Sequence, residues 1–486
     1  MKKILALVVV LLLVALGSAG AYRALKLRSR VLASAPPDVV VANSPVNAER
    51  FRQALRFPTI STQDSASWNP APFADFHEFL RSAYPRVDSA LTREVVNGYS
   101  LLYTWKGSDS TLAPMLLTGH FDVVPVEPGS EPQWTHAPFA GDTADGMIWG
   151  RGAADDKISV IGLLEGVDLL LAQNLVPRRT VVLAFGHDEE VGGAAGAGEI
   201  AKLLQSRYGK VAFLVDEGGF VTRGIVPGVR RPVALIGVAE KSSLTVELTV
   251  TGTGGHSSMP PDHSALGVLA RALVRLEDNQ MPARFTPATR AFLTNMAAEG
   301  SFTMKFAFAN LDVLEPVVLN TLIGMPQTAA TVRTTTAVTM ASGSPKENVL
   351  PIRASAVVNF RILPGDSVQG VLDHVTRTID DSAVHVRVLG TPREPSPVSS
   401  TTTPEYRTLE KTIGQLYPGV VPTPYLLTAA TDTRHYEGLT TNIYRFAPAV
   451  LTAELVAGAH GTNERVGLAD FENGVRFWAQ FVLNAQ

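Results

Sequence analysis

Three short apolar runs each stop at a polar or acidic cluster, and this recurrence limits the fold more than any other feature of the chain. Pro114 to Thr118 ends at Gly119-His120, Thr180 to Phe185 at Gly186-His187-Asp188-Glu189-Glu190, and Val211 to Val215 at Asp216-Glu217-Gly218-Gly219. Unbroken apolar runs of this length suit strands covered on both faces. Ile158 to Gln173 is apolar on most sides and reads as a helix between two of them. Strands alternating with helices predict an α/β fold, a mixed sheet covered by helices. Ligands collect at the carboxyl ends of strands in such sheets. Every cluster just named lies at one.

The pattern changes near residue 240. Ser243 to Thr251, Ala354 to Ile362 and Val384 to Leu389 alternate apolar with polar residues, which predicts strands with one exposed face. Ser264 to Leu276 and Ser367 to Ile379 carry helical spacing. This strand–helix–strand–helix–strand unit predicts an α+β (ferredoxin-like) domain inserted into the first. The expected division is 46–239 and 396–486 for the main domain, with 240–395 as the insertion. Between the insertion's halves lies a long apolar segment, 279–340, holding Phe285, Phe292, Phe302, Phe306 and Phe308. It is expected to pack the inserted domain, with an apolar acyl pocket as the other reading.

The chain opens Met1-Lys2-Lys3, then runs apolar from Ile4 to Leu16 and small from Gly17 to Ala21. That is the layout of an export signal, with Ala19-Gly20-Ala21 as a cleavage site. Ile4 to Tyr22 is also nearly long enough to span a bilayer. Residues 1–22 therefore read as a signal peptide or as an N-terminal membrane anchor, and 23–45 as a linker. Both readings put the body outside the cytoplasm, in the periplasm or the extracellular space.

Composition removes several function classes. The 486 residues include 42 Lys and Arg against 45 Asp and Glu, so no basic excess supports nucleic-acid binding. Cysteine is absent, which excludes disulfides, thiolate catalysis and cysteine-held metals. No Gly-x-Ser-x-Gly elbow frames a serine nucleophile. Any metal must be held by Asp, Glu and the ten His.

Those residue types recur at the strand ends and in Gly-rich loops. The order is His120-x-Asp122, Gly150-Arg151-Gly152-x-x-Asp155-Asp156-Lys157, Asp188-Glu189-Glu190, Asp216-Glu217-Gly218, Gly254-Gly255-His256-Ser257-Ser258 and His460-Gly461-x-x-Glu464. Two His with several carboxylates suit a two-metal hydrolytic site. A metal-bound imidazole needs its second nitrogen tied to an acceptor, and an Asp two residues on can supply it. Adjacent carboxylates after a buried strand can divide the work of metal ligand and proton acceptor.

From about residue 46 onward the sequence resembles the aminoacylase/glutamate-carboxypeptidase family of two-zinc metallopeptidases. Within it the carboxypeptidase S branch is most similar, on the Leu214-Val215-Asp216-Glu217-Gly218 run, the long apolar segment and the N-terminal apolar stretch. The resemblance implies two zinc ions per subunit, with Co2+ or Mn2+ able to substitute. It implies His120 on one zinc, Asp122 orienting it, and Asp155 bridging, with a cis peptide bond to Asp156. Glu190 and His460 would hold the other zinc. Asp216, preferred to Glu217, would complete the first set. Glu189 would be the general base. The insertion would be a lid and dimerisation domain. Its His256, from a partner chain in dimeric members, would stabilise the oxyanion, and its Asn348 and Arg361 would hold the substrate carboxylate. The implied substrate is a small peptide or an N-acyl amino acid with a free carboxylate. Aminopeptidase and aminoacylase activities, fatty-acyl synthesis or hydrolysis, and a metal-free binding protein on the same fold are the alternatives. Asp432 and Arg434 have no assigned role.

Overall fold

The computed structural model describes residues 2–32, 35–43, 45–64 and 66–486. The main sheet has ten strands, and the apolar runs form its centre. Strand β1 (Met115–His120) lies between β2 (Val181–Gly186) and β3 (Phe213–Asp216), parallel to both. All three are buried along their whole length, so both faces must be covered. Helix α2 (Lys157–Ala172) covers one face and packs against β1 and against the C-terminal helix Leu468–Asn484. Its near-continuous burial explains its apolar sequence on all sides. A second apolar layer, which includes Ile200, Leu204 and Tyr436, covers the other face.

The chain leaves this sheet at strand β4 (Val233–Glu240) and enters the insertion at strand β5 (Ser242–Thr251). Strand β5 pairs antiparallel with β6 (Arg353–Ile362) and with Val384–Leu389, as the alternation predicts. Helices Ala265–Asp278 and Val368–Ile379 cover one face, burying Leu269, Leu276, Val371 and Val375. After the insertion the chain rejoins the main sheet. Strand Val421–Leu427 pairs parallel with β4, and β7 (Ile443–Arg445) pairs parallel with β3. Across the boundary, Ser396 Oγ accepts a hydrogen bond from Glu240 N at 2.6 Å.

The apolar segment 279–340 departs from expectation. It forms four helices and a strand, Thr335–Ser342, that joins the edge of the inserted sheet. The first helix, α3 (Pro287–Glu299), packs on the main-sheet strand Val421–Leu427 instead of on the insertion. Met296 and Phe292 meet Val233, Leu235, Val421 and Tyr425 there. The main sheet is apolar at this point, and covering it removes apolar surface from water.

Some described residues of the stretch 23–45 pack on the body. Helix α1 (Lys2–Lys26) runs past residue 22. Val41 is buried in the main core, and Asp38 N donates to Gln480 Oε1 at 2.7 Å. Among the described residues no single helix is long and apolar enough to cross a membrane. One bent pair passes the same test of length and composition: α4 (Phe302–Ala309) with α5 (Leu311–Ile323).

Candidate metal centre

The carboxyl ends of β1, β2 and β3 open onto one cluster of side chains. His120 closes β1 and is buried. Its Nε2 lies 3.0 Å from Asp155 Oδ1. Its Nδ1 lies 3.1 Å from the Asp122 carbonyl and 3.3 Å from the Asp122 carboxylate. Asp122 thus fixes the imidazole through its other nitrogen, as the His-x-Asp spacing suggests. The same carboxylate accepts from the Glu189 and Glu190 backbone N–H groups at 3.2 and 3.1 Å and from Ser61 Oγ at 2.6 Å. One buried Asp therefore ties the end of β1 to the loop after β2.

Asp155 stands at the centre. Its Oδ2 lies 3.1 Å from His460 Nε2, and that nitrogen is 3.2 Å from Glu190 Oε2. Each oxygen of Asp155 thus faces a different histidine. The Asp155-Asp156 peptide bond is cis, as the resemblance implies. The ligand atoms of His120, Asp155 and Glu190 converge within 4.8 Å of one another. Glu190 Oε1 and Asp216 Oδ2 are buried without a hydrogen-bond partner. Buried unpaired carboxylate oxygens are costly, and a cation would satisfy them. The donor set therefore fits a metal.

Charge shapes the proton affinities here. Burial raises the Asp155 carboxyl, but hydrogen bonds with His120 and His460 outweigh it and hold the group low. Those to Asp155 and Glu190 push His460 up to about 10. Burial, then the charges of Asp122, Glu190 and Asp155 against that of His120, push Glu189 up to about 8. Burial also raises Glu217, followed by the charge of Asp155. Asp216 is raised by burial too, but it answers next to the Thr118 hydroxyl, and Glu240 is the anion that acts on it most. Of this adjacent pair, Glu217 feels the charge of Asp155 more than Asp216 does.

Three residues without an earlier role support the cluster. Glu464 accepts from Arg151 Nη1 at 2.6 Å and from the backbone N–H groups of Gly152, Ala154 and Asp155. Asp432 is buried behind the loop after β2, and a Cβ on Gly193 would fall 1.9 Å from its Oδ1. Burial and the nearby Glu189 carboxylate raise its proton affinity. Arg434 Nη2 lies 4.0 Å from Glu189 Oε1. The Asp432-Thr433-Arg434 run was visible in sequence, but nothing local tied it to a site formed by distant strands.

The inserted domain divides its expected residues. His256 and Asn348 meet at the end far from the main sheet, where Ser257 N donates to Asn348 O at 3.1 Å. His256 is exposed, with Nδ1 2.8 Å from Ser258 Oγ. Arg361 sits at the opposite end of β6, paired with Ser243 beside the domain boundary. Among the described residues, none of the three hydrogen-bonds to His120, Asp155, Glu190 or His460. They do not form one group in this chain.

The family model for peptidase family M20/M25/M40 matches residues 116–484. The chain belongs to that family. It is 41% identical over 443 residues to the N-fatty-acyl-amino acid synthase/hydrolase of Mus musculus, covering 90% of this chain and 87% of that protein. Carboxypeptidase S of Saccharomyces cerevisiae is 30% identical over 490 residues, covering 90% and 83%. These relatives place the chain in the carboxypeptidase S branch as a hydrolytic enzyme of a metallopeptidase family. A metallo-carboxypeptidase of the M20 family from Sulfolobus solfataricus superposes with a TM-score of 0.65 at 18% identity, covering 89% of this chain and 98% of that one. Human carnosine dipeptidase 1 gives 0.61 at 16% identity, covering 92% and 99%. Both share the fold described above.

Proposed function

We propose that the enzyme hydrolyses the amide bond of small peptides or N-acyl amino acids that end in a free carboxylate, using two zinc ions. The observation that carries this reading is Asp155, with one oxygen facing His120 and the other facing His460. A carboxylate so placed is arranged to bridge two cations. His120, Asp155 and Asp216 would hold one ion, Asp216 bringing its buried, unpaired Oδ2. Asp155, Glu190 and His460 would hold the other. Bound zinc supplies Lewis acidity and lowers the pKa of its water toward about 7.

The chain's own groups do the rest. Glu189 is buried beside the cluster with a raised proton affinity, as a general base and acid requires. It takes a proton from the attacking water and returns it to the leaving nitrogen. Arg434, 4.0 Å away, favours its ionised form. His256 donates to the developing oxyanion after lid movement or from a second subunit of a homodimer. Asn348 and Arg361 recognise the substrate carboxylate, for which a guanidinium fork is suited.

Fatty-acyl substrates are the second reading. An apolar cavity of about 210 Å³ lies between α3, α5 and strand β4, lined by Val226, Leu235, Phe292, Leu293, Leu322 and Tyr425. The N-terminal layout and the exposed apolar side chains of α1 support an exported, membrane-anchored or secreted protein, with the body outside the cytoplasm.

The test is a matched amide panel: Gly-Leu, an N-acetyl amino acid, an N-oleoyl amino acid and a carboxyl-amidated control, with zinc, cobalt or manganese added. Cleavage of free-carboxylate substrates alone supports the reading, and the preferred acyl group names the substrate. Cleavage of the amidated control at an equal rate overturns the carboxylate requirement.

A further inference from the structure

We propose that helices α4 and α5 form a membrane-seating surface that rests in the headgroup layer of the bilayer holding α1. The inference rests on the membrane-anchored reading of α1 given above.

Helix α1 presents Ile4, Leu5, Leu7, Val8, Val10, Leu11, Val14 and Leu16 outward, with none of them packed into the core. Its last turns are fixed to the body. Gly20 is buried there, and a Cβ on it would meet the Phe306 ring at 2.8 Å. Asn310, at the corner between α4 and α5, donates to Gly20 O at 3.2 Å. Arg23 pairs with Asp312 at 2.8 Å. If the apolar part of α1 lies in a bilayer, its fixed end near Gly20 lies at the bilayer surface, and α4 and α5 lie there with it.

The two helices have the surface this position requires. Phe302, Val313 and Val317 are exposed, and Val313 and Val317 stand one turn apart on one face of α5. Both carboxylates of α5 are paired, Asp312 with Arg23 and Glu315 with Arg290. Lys26 ends α1 and Arg28 follows it, where anionic headgroups would meet them. Together α4 and α5 have the length and composition of a membrane segment, but they are bent by 117°. A pair so bent suits the interface, where an apolar face needs burial only to about 5–10 Å, better than a straight crossing.

The absence of cysteine makes the test direct. The full chain is reconstituted in vesicles of phosphatidylcholine and phosphatidylglycerol. Single variants Val313→Cys, Val317→Cys, Val10→Cys and Lys202→Cys carry an environment-sensitive fluorophore, and lipids carry a nitroxide at the headgroup or deep in the acyl chain. The expected result is quenching at 313 and 317 by the headgroup nitroxide at least twofold above that at 202, with Val10→Cys quenched by the deep one. Labels at 313 and 317 as unquenched as 202, beside a quenched Val10→Cys, would show α1 inserting alone and overturn the proposal. An unquenched Val10→Cys would overturn the membrane-anchored reading itself, and the proposal with it.

Discussion

Arg151 Nη1 donates to Glu464 Oε2 at 2.6 Å, and both side chains are almost wholly buried. The pair joins the loop that carries Asp155 to the loop that carries His460, more than 300 residues apart in sequence. Glu464 also takes three backbone N–H groups of the Asp155 loop, so its carboxylate sets where Asp155 sits.

Removing that carboxylate has two consequences. Glu464→Ala leaves a buried guanidinium without its partner, which costs about 3–5 kcal/mol. Glu464→Gln keeps the shape and some hydrogen bonds and is expected to cost less, about 1–3 kcal/mol. Denaturant unfolding measures both, and metal content of the folded fraction is expected to fall with them. Full stability in Glu464→Ala would show that the pair does not organise the loop.

Glu189→Ala is expected to separate chemistry from metal binding. Glu189 is adjacent to Glu190, which is proposed above to hold a metal, and is itself free of hydrogen bonds to His120 or His460. Loss of a general base lowers the rate by a factor of about 100 to 10,000. Metal content and KM are expected to stay near those of the unaltered enzyme. A variant that loses metal and activity in parallel would make Glu189 a ligand and remove it as the base.

Much of this was legible in the chain. The buried strands announced themselves because an unbroken apolar run has few other uses, and their polar ends marked the site. Two things were hidden. Segment 279–340 is apolar in any packing, so its sequence could not say which sheet it covers. The choice between Asp216 and Glu217 depends on side-chain direction at the end of β3, and neighbours in a strand end point apart without any sequence signal. Glu464 stands four residues after His460, but its partner Arg151 belongs to another loop, and only the fold brings them together.

Metal removal is expected to lower stability. Without a cation, Glu190 Oε1 and Asp216 Oδ2 are buried and unpaired. A ligand bound only by the folded state at a thousand times its Kd adds about 4 kcal/mol. Chelation followed by titration with zinc is expected to raise Tm stepwise, and Asp155→Ala is expected to abolish the rise. An unaltered Tm in the parent chain would count against the cluster as a metal site.

His256→Ala is expected to act on the rate alone. The side chain is exposed and contacts only Ser258 and the local turn, so Tm should not change. Loss of one oxyanion donor lowers kcat by a factor of about 100 to 1,000. If the donor comes from a second subunit, mixing His256→Ala with Glu189→Ala chains is expected to restore part of the activity, since a hybrid dimer keeps one intact site. Wild-type kcat in His256→Ala would exclude the residue from the reaction.

Lys241 gives a prediction for alkaline pH. It lies at the domain boundary and donates to Ala330 O at 3.0 Å and Arg333 O at 2.9 Å. Burial, with the charge of Arg361 second, lowers it from 10.5 to about 8. Below about pH 8 both folded and unfolded chains carry the proton, and the cost of burying the charge is fully present. Between about 8 and 10.5 the unfolded chain holds more protons, so the contribution of Lys241 to stability rises with pH. The whole rise is on the order of 3 kcal/mol. Other groups titrate in the same range, so the comparison is with Lys241→Met. The difference in unfolding free energy between parent and variant is expected to grow in the parent's favour across this window and to level off above it. Arg361→Gln is expected to shift the start of the rise to higher pH, because the removed charge is one that lowers Lys241. Parallel stability curves for the parent chain and Lys241→Met would show that Lys241 keeps its ordinary proton affinity in the folded protein.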